Sequence, residues 1–133
     1  MKHDEFVGEI QHRAHLASRG AAEAAIRATL ETLGERIPRG TAEHLAAQLP
    51  PEIGHHLRGH LFERFSLQGF YQRVAGREPA DEPEAIFHAR VVLTLIAEIV
   101  SPGVMVKVRR ELPESYQPLL LPERGAAVTA MMD

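Results

Sequence analysis

The chain contains no cysteine and no tryptophan, and aromatic residues fill only 5% of its 133 positions. Without cysteine, disulfides, thiolate metal sites and a cysteine nucleophile are all excluded. Lysine occurs only at Lys2 and Lys107, and the net charge is −3. A mildly acidic chain lacks the electrostatic footprint of a general nucleic-acid binder. Long hydrophobic runs are missing too. The most apolar stretch, Ala85–Val100, contains His88, Arg90 and Glu98 and falls short of the roughly 20 apolar residues a membrane helix needs. The opening MKHDEF turns acidic at once and has no apolar segment of the signal-peptide kind. A cytoplasmic protein without membrane or nucleic-acid partners is the expectation. Catalytic signatures are equally scarce: there is no Gly-rich phosphate loop and no GxSxG. Ser18, Ser66 and Ser101 stand where helix caps belong, and Asp81, Glu82 and Glu84 fall in a polar loop, a poor place to shift a pKa. The expectation is therefore a non-enzymatic protein without a cofactor.

What the chain does have is aliphatic residues at helical spacing. The apolar share of 44% is carried by Ala, Leu, Ile and Val, and Ala and Leu head the helix-propensity scale. In Ala85–Val100 one face carries Ala89, Leu93, Ile96 and Val100, and another carries Phe87, Val91, Leu95 and Ile99. A helix that is apolar nearly all round and too short for a membrane belongs in the middle of a protein.

Taken in order, Asp4 is a candidate cap for a first helix to about Leu16, with Phe6, Ile10 and Ala14 on one face. A second runs from about Ala21 to Ile37 and presents Ile26, Leu30, Leu33 and Ile37 until Pro38 stops it. A third covers Ala42–Leu49, and Pro51 opens a short fourth with Ile53 and Leu57. After a bridge containing Leu61, Phe62 and Phe65, Ser66 can cap a fifth helix carrying Phe70, Tyr71 and Val74. Asp81 and Glu84 have capping-box spacing ahead of the sixth, central helix. Ser101-Pro102-Gly103 opens a seventh, and Pro113 begins an eighth with Tyr116, Leu119 and Leu120.

The programme repeats. A shift of 63 positions pairs Arg27 with Arg90, Leu30 with Leu93, Glu35 with Glu98, Gly40 with Gly103, Pro50 with Pro113 and Leu57 with Leu120. With one residue dropped in the first loop, Phe6 pairs with Phe70, Ile10 with Val74 and Arg13 with Arg77. Helix breaks and core faces match together. The fold class expected is all-α, a compact helical bundle of two pseudo-symmetric four-helix repeats. Residues 1–121 form one domain, with repeats at about 3–60 and 66–121, and 122–133 form a C-terminal tail. The second helices of the two repeats meet near the axis. The second apolar face of the sixth helix packs on the other half or across a dimer.

The segments HDEFVGEIQHRA, AIRATLETLGERIPRGTAEHLAAQLPPEI, FSLQGFYQRVA and RRELPESYQPLL resemble a bacterial family catalogued as a domain of unknown function, number 2267. The resemblance covers nearly all of the chain up to Leu121. It implies an all-helical cytoplasmic protein of two similar halves, and it implies no activity and no catalytic residues. The histidine-rich GHHLRGH segment, REPADEP and the longer tail depart from the usual pattern.

Three groups of residues are candidates for a site. His55, His56 and His60 lie within six residues, with His56 and His60 at one-turn spacing suited to a zinc or nickel ion if a third ligand arrives from elsewhere. His3, His12 and His15 are possible contributors; the competing reading is a solvated helix end broken by Gly59. Arg27 and Arg90, at equivalent points of the two inner helices, could converge on an anion, or could be paired with Glu31 or Glu98. Lys107, Arg109 and Arg110 form a basic cluster that could dock a phosphate or an acidic partner, or simply face solvent. A helix-turn-helix over TAEHLAAQLPPEIGHHL is disfavoured by Pro50-Pro51 and by the few basic residues after it. Two functions remain. The first is an interaction module that binds another protein or itself, with Phe62, Phe65 and Tyr71 as a candidate surface. The second is a metal- or small-anion-binding protein, possibly catalytic, using the histidines or a pocket at the pseudo-twofold.

Overall fold

The computed structural model describes residues 1–121, and every regular element among them is a helix. The expected tail lies outside the described residues. The order is α1 (His3–Arg13), α2 (Arg19–Arg36), α3 (Arg39–Ala47) and α4 (Pro51–Gly54), which continues into a 3₁₀ turn, His55–Leu57. An extended connector leads to α5 (Leu67–Arg77), α6 (Glu82–Ile99) and α7 (Pro102–Glu111). A second 3₁₀ turn, Glu114–Tyr116, runs into α8 (Gln117–Leu120). Among the described residues no helix is long and apolar enough to cross a membrane.

The boundaries follow local chemistry. Hydroxyls of Ser18, Ser66 and Ser101 and the Asp81 carboxylate accept from the free amides opening α2, α5, α7 and α6. Asp4 does not cap α1. The helix begins two residues earlier, at His3, with Lys2 in the cap position and its amide donating to Glu5. Asp4 then falls in the first turn, where its carboxylate meets Arg19 at 2.8 Å. That first helix also stops short of Leu16. His15 adopts a left-handed conformation (φ 55°) and the Leu16 amide reaches back to the Gln11 carbonyl, the geometry of a Schellman stop. The third helix starts before Ala42, at Arg39, because Pro38 supplies the extended residue that precedes it. The eighth begins as a 3₁₀ turn after Pro113 and only then becomes α-helical.

Ala85–Val100 is the central buried helix expected. Ala89, Leu93, Ile96 and Val100 are buried, as are Val91 and Leu95, while Phe87 and Ile99 are half-buried against the same core. α6 achieves this by packing on α1, α2, α5 and α8, so both faces find protein. α2 packs on α1, α5, α6 and the 3₁₀ turn at His55–Leu57, and α3 lies against α7. One cluster of buried side chains runs from Phe6 and Ile10 through Leu30, Leu33 and Phe70 to Tyr116 and Leu119. Each such side chain contributes about 1.5–3 kcal/mol of transfer free energy.

The first 3₁₀ turn comes so close to α2 that only glycine fits between them. A Cβ on Gly34 would lie 2.6 Å from the Leu57 carbonyl oxygen and 2.7 Å from the His60 ring. Because the Leu57 oxygen belongs to the backbone, it can yield only if the turn moves. Gly34→Ala is therefore expected to cost about 2 kcal/mol, read as a lower urea midpoint at unchanged slope. An unaltered midpoint would show that the turn is not locked to α2.

Candidate functional site

The histidine-rich segment does not form the ligand set its spacing suggests. His56 lies in the middle of a 3₁₀ turn rather than in an α-helix, Arg58 is extended, and Gly59 takes φ +84°, which carries His60 off the helical path. The His60 ring lies against Gly34, and its Nε2 is 2.8 Å from the His56 carbonyl oxygen. His55 is exposed, its ring edge-on to that of His56. His12 and His15 are separated by the left-handed stop of α1 and border a shallow surface depression. Among the described residues no group of three or more His, Asp or Glu side chains is placed to hold a metal ion.

His56 instead faces a cavity of about 230 Å³ at the meeting of α1, α2 and α4. Val7, Ala24, Ile26 and Ile53 form its apolar wall, and His3, Arg27, His56 and Glu23 its polar groups. Glu23 is approached by Arg19 at 3.6 Å, and His3 Nδ1 is 3.4 Å from Asp4. Burial lowers the His56 pKa below the ordinary histidine range. The nearby His55, Arg27 and His3 push the same way, with Glu31 opposing them.

The two paired arginines occupy different surroundings. Arg27 is exposed at the rim of this cavity. Arg90 is half-buried and close enough to Tyr71 for its charge to oppose the upward push that burial gives the Tyr71 hydroxyl. On α7, Lys107 is half-buried, with Nζ 3.3 Å from His44 Nδ1 of α3. Arg109 borders a groove of about 340 Å³ with Leu112, Pro113 and Leu120, and Arg110 is exposed. Of the aromatic candidates, Phe65 and Tyr71 are half-buried against the core, whereas Phe62 is exposed, with Arg64 stacked 5.2 Å from its ring.

Sequence reasoning missed the polar ties between helices. Arg13 reaches both oxygens of Glu98 at 2.8 and 2.9 Å, and Arg77 meets Glu35 at 2.8 Å and Thr32 Oγ1 at 3.0 Å. Arg73 bridges Glu35 and Glu63 and lies 3.9 Å from the Phe65 ring centroid. Buried Arg36 donates to the Phe65 carbonyl, which also accepts from the Tyr116 hydroxyl at 2.6 Å. The Glu63 amide donates to the Glu35 carbonyl at 2.7 Å. The connector is thus extended but pinned at both Glu63 and Phe65. A further buried pair, Glu78 Oε2 and His88 Nδ1 at 2.9 Å, joins the end of α5 to α6. The signal for the Arg–Glu ties was present in the spacing of the sequence, where Arg13 was matched with Arg77 and Glu35 with Glu98. Only the fold shows that they are each other's partners.

These elements define an all-helical protein whose described residues hold a part-polar cavity of about 230 Å³ and no group of three or more His, Asp or Glu side chains placed to hold a metal ion. Residues 3–119 match the family described as "Uncharacterized conserved protein (DUF2267)", and the chain belongs to that family. No curated protein matches the chain.

Two tests follow from the charge pairs. Burial raises the Glu35 carboxyl, but hydrogen bonds from Arg77 and Arg73 outweigh it and hold the group below the usual carboxylate range. Glu98 is held low by its hydrogen bonds to Arg13, with burial opposing. A carboxyl depressed in the folded state stabilises the fold above its unfolded value of about 4.3 and loses that contribution as pH falls through the folded value. Arg77→Met is expected to cost about 1 kcal/mol at neutral pH and to flatten the acid limb of the stability–pH curve. Arg13→Met should cost about 0.5 kcal/mol, since Glu98 is half exposed. Parallel acid limbs in Arg77→Met and the parent would refute this. For the buried pair, His88→Ala strands Glu78 and should cost about 3 kcal/mol. Replacing both with alanine should cost less than the two single losses combined, and additive losses in that double-mutant cycle would exclude coupling.

Proposed function

We propose that this chain is a non-enzymatic interaction module, built as two copies of a four-helix unit within one domain. On this reading it binds another protein through the connector between the copies. The duplication is supported by matched lengths: α1 and α5 have 11 residues each, and α2 and α6 have 18 each. It is supported further by the ion pairs. The offsets that relate the repeats carry Arg13 onto Arg77 and Glu98 onto Glu35, so each copy's arginine grips the other copy's glutamate. Lys107 and His44, which also touch, stand 63 residues apart. Contacts between equivalent residues are what a twofold axis produces.

The observation that carries the functional reading is Leu61. It is 87% exposed and adjoins Phe62, on a segment anchored by Glu63 and Phe65. An apolar side chain held out on a pre-ordered backbone loses little freedom on binding, which favours recognition. The patch is small, so the partner surface is an apolar hollow of a transient interface rather than a broad obligate one. Leu61→Asp is expected to leave helicity and thermal midpoint unchanged while abolishing capture of a protein that the parent retains in parallel affinity isolations. Identical capture profiles for the two proteins would remove this reading. Loss of a concentration-dependent mass increase in Leu61→Asp would identify the partner as a second copy.

A further inference from the structure

The positions that line the cavity bordered by α1, α2 and α4 are occupied differently in the second half among the described residues. The offsets that relate the repeats carry His3 onto Leu67, Val7 onto Tyr71, Ala24 onto Phe87 and His56 onto Leu119. Those four residues are buried or half-buried against the core. Arg27 is carried onto Arg90, which there lies near Tyr71. Where the second half is filled with bulky apolar groups, the first half is hollow and presents two imidazoles and a guanidinium. This comparison rests on the proposed duplication, whereas the cavity and its groups stand without it.

We propose that this cavity binds a small oxyanion of the phosphate class, held between the Arg27 guanidinium and the imidazoles of His3 and His56. A guanidinium and two imidazolium N–H donors supply charge-assisted hydrogen bonds to a tetrahedral anion. The apolar wall of Val7, Ala24, Ile26 and Ile53 limits its size and its solvation. Glu23 also borders the cavity, 3.6 Å from Arg19 on the preceding turn of α2, a guanidinium it shares with Asp4 at 2.8 Å. Glu31 and Asp4 are the other carboxylates acting on these histidines, and His55 adds to the cationic side. Glu5, Glu52 and Lys2 share a neighbouring depression with His3, and with these carboxylates nearby the site becomes more attractive to anions as the His56 imidazole takes up a proton. Binding is therefore stronger in mild acid and draws protons in. That agrees with His56, whose proton affinity is depressed by burial and by neighbouring positive charge that a bound anion would relieve.

Isothermal titration of inorganic phosphate into the full chain, at constant ionic strength, tests this at about pH 6 and about pH 8, spanning the histidine range. The expected result is saturable binding at the lower pH and affinity about tenfold weaker at the higher. The heat should depend on the buffer's ionisation enthalpy in the sense of proton uptake. Arg27→Gln alters an exposed side chain and should fold normally while binding about tenfold more weakly. Ala24→Phe, which installs the residue of the second half, should abolish binding, with circular dichroism confirming its fold. Absence of saturable binding at both pH values would overturn the proposal. So would equal affinity of the parent and Arg27→Gln. Phosphate binding that Arg27→Gln weakens but Ala24→Phe leaves intact would keep the anion site and discard the correspondence between the halves.

Discussion

The packing of α2 against α6 is the constraint on which the rest of the molecule depends. α6 is apolar nearly all round, so it is stable only where protein covers every side. α1, α2, α5 and α8 provide that cover. α2 contributes Ile26, Leu30 and Leu33 to the core and then ends at Ile37, which is itself buried. The shorter helices are too brief to persist alone in water. α4 and α8, at four residues each, exist because Ile53 and Leu119 are buried and the two helices pack on α2 and α6 respectively. Aliphatic side chains supply most of this core, with Phe6, Phe70 and Tyr116 as its large members.

Around that pair, polar contacts fix how the remaining pieces sit. The Arg13–Glu98 and Arg77–Glu35 bridges each join a short helix to the far end of a long one. Solvent-exposed pairs contribute little free energy, but the two-point contact of Arg13 with Glu98, and the fork of Arg77 onto Glu35 and Thr32, are directional and select one alignment of the packed helices. The connector is held in the same manner. Arg36 is buried yet satisfied, because its guanidinium donates to the Phe65 carbonyl and lies near the Tyr116 and Phe65 rings. A segment that would otherwise be a loose link between the halves is ordered, and Leu61 stands out from it as a consequence.

On the proposed duplication, the two halves handle interior space differently, and this is where the anion-site proposal arises. One places alanine at positions 14 and 25, where the other has the buried Glu78 and His88. Conversely, the cavity beside His56 corresponds to positions that the second half fills with Leu67, Phe87 and Leu119. Fold alone does not fix function; on the proposed duplication the anion-site candidate is a departure of one copy from the other, whereas Leu61 stands on the connector between them.

The sequence by itself determined the helices and most of their edges. Serine and aspartate caps, proline breaks and the aliphatic spacing of α2 and α6 act over one or two turns, so they are legible locally. The all-helical class and the central position of α6 follow from the same short-range rules. Misplaced edges, such as the start of α1 and the stop at His15, lay where a residue's role was taken by an ion pair or a left-handed backbone turn. The site was far less legible. His56 and His60 have the spacing of a helical ligand pair, yet the chain leaves the helix between them and His60 is drawn onto Gly34. Arg27 gains His3 and His56 as neighbours only because α1, α2 and α4 meet. Arg13 and Glu98, 85 residues apart, become partners only through the packing of α1 on α6. Spacing along a chain specifies which residues share a turn. Which turns share a space is decided by how the buried faces fit together, and that belongs to the tertiary structure alone.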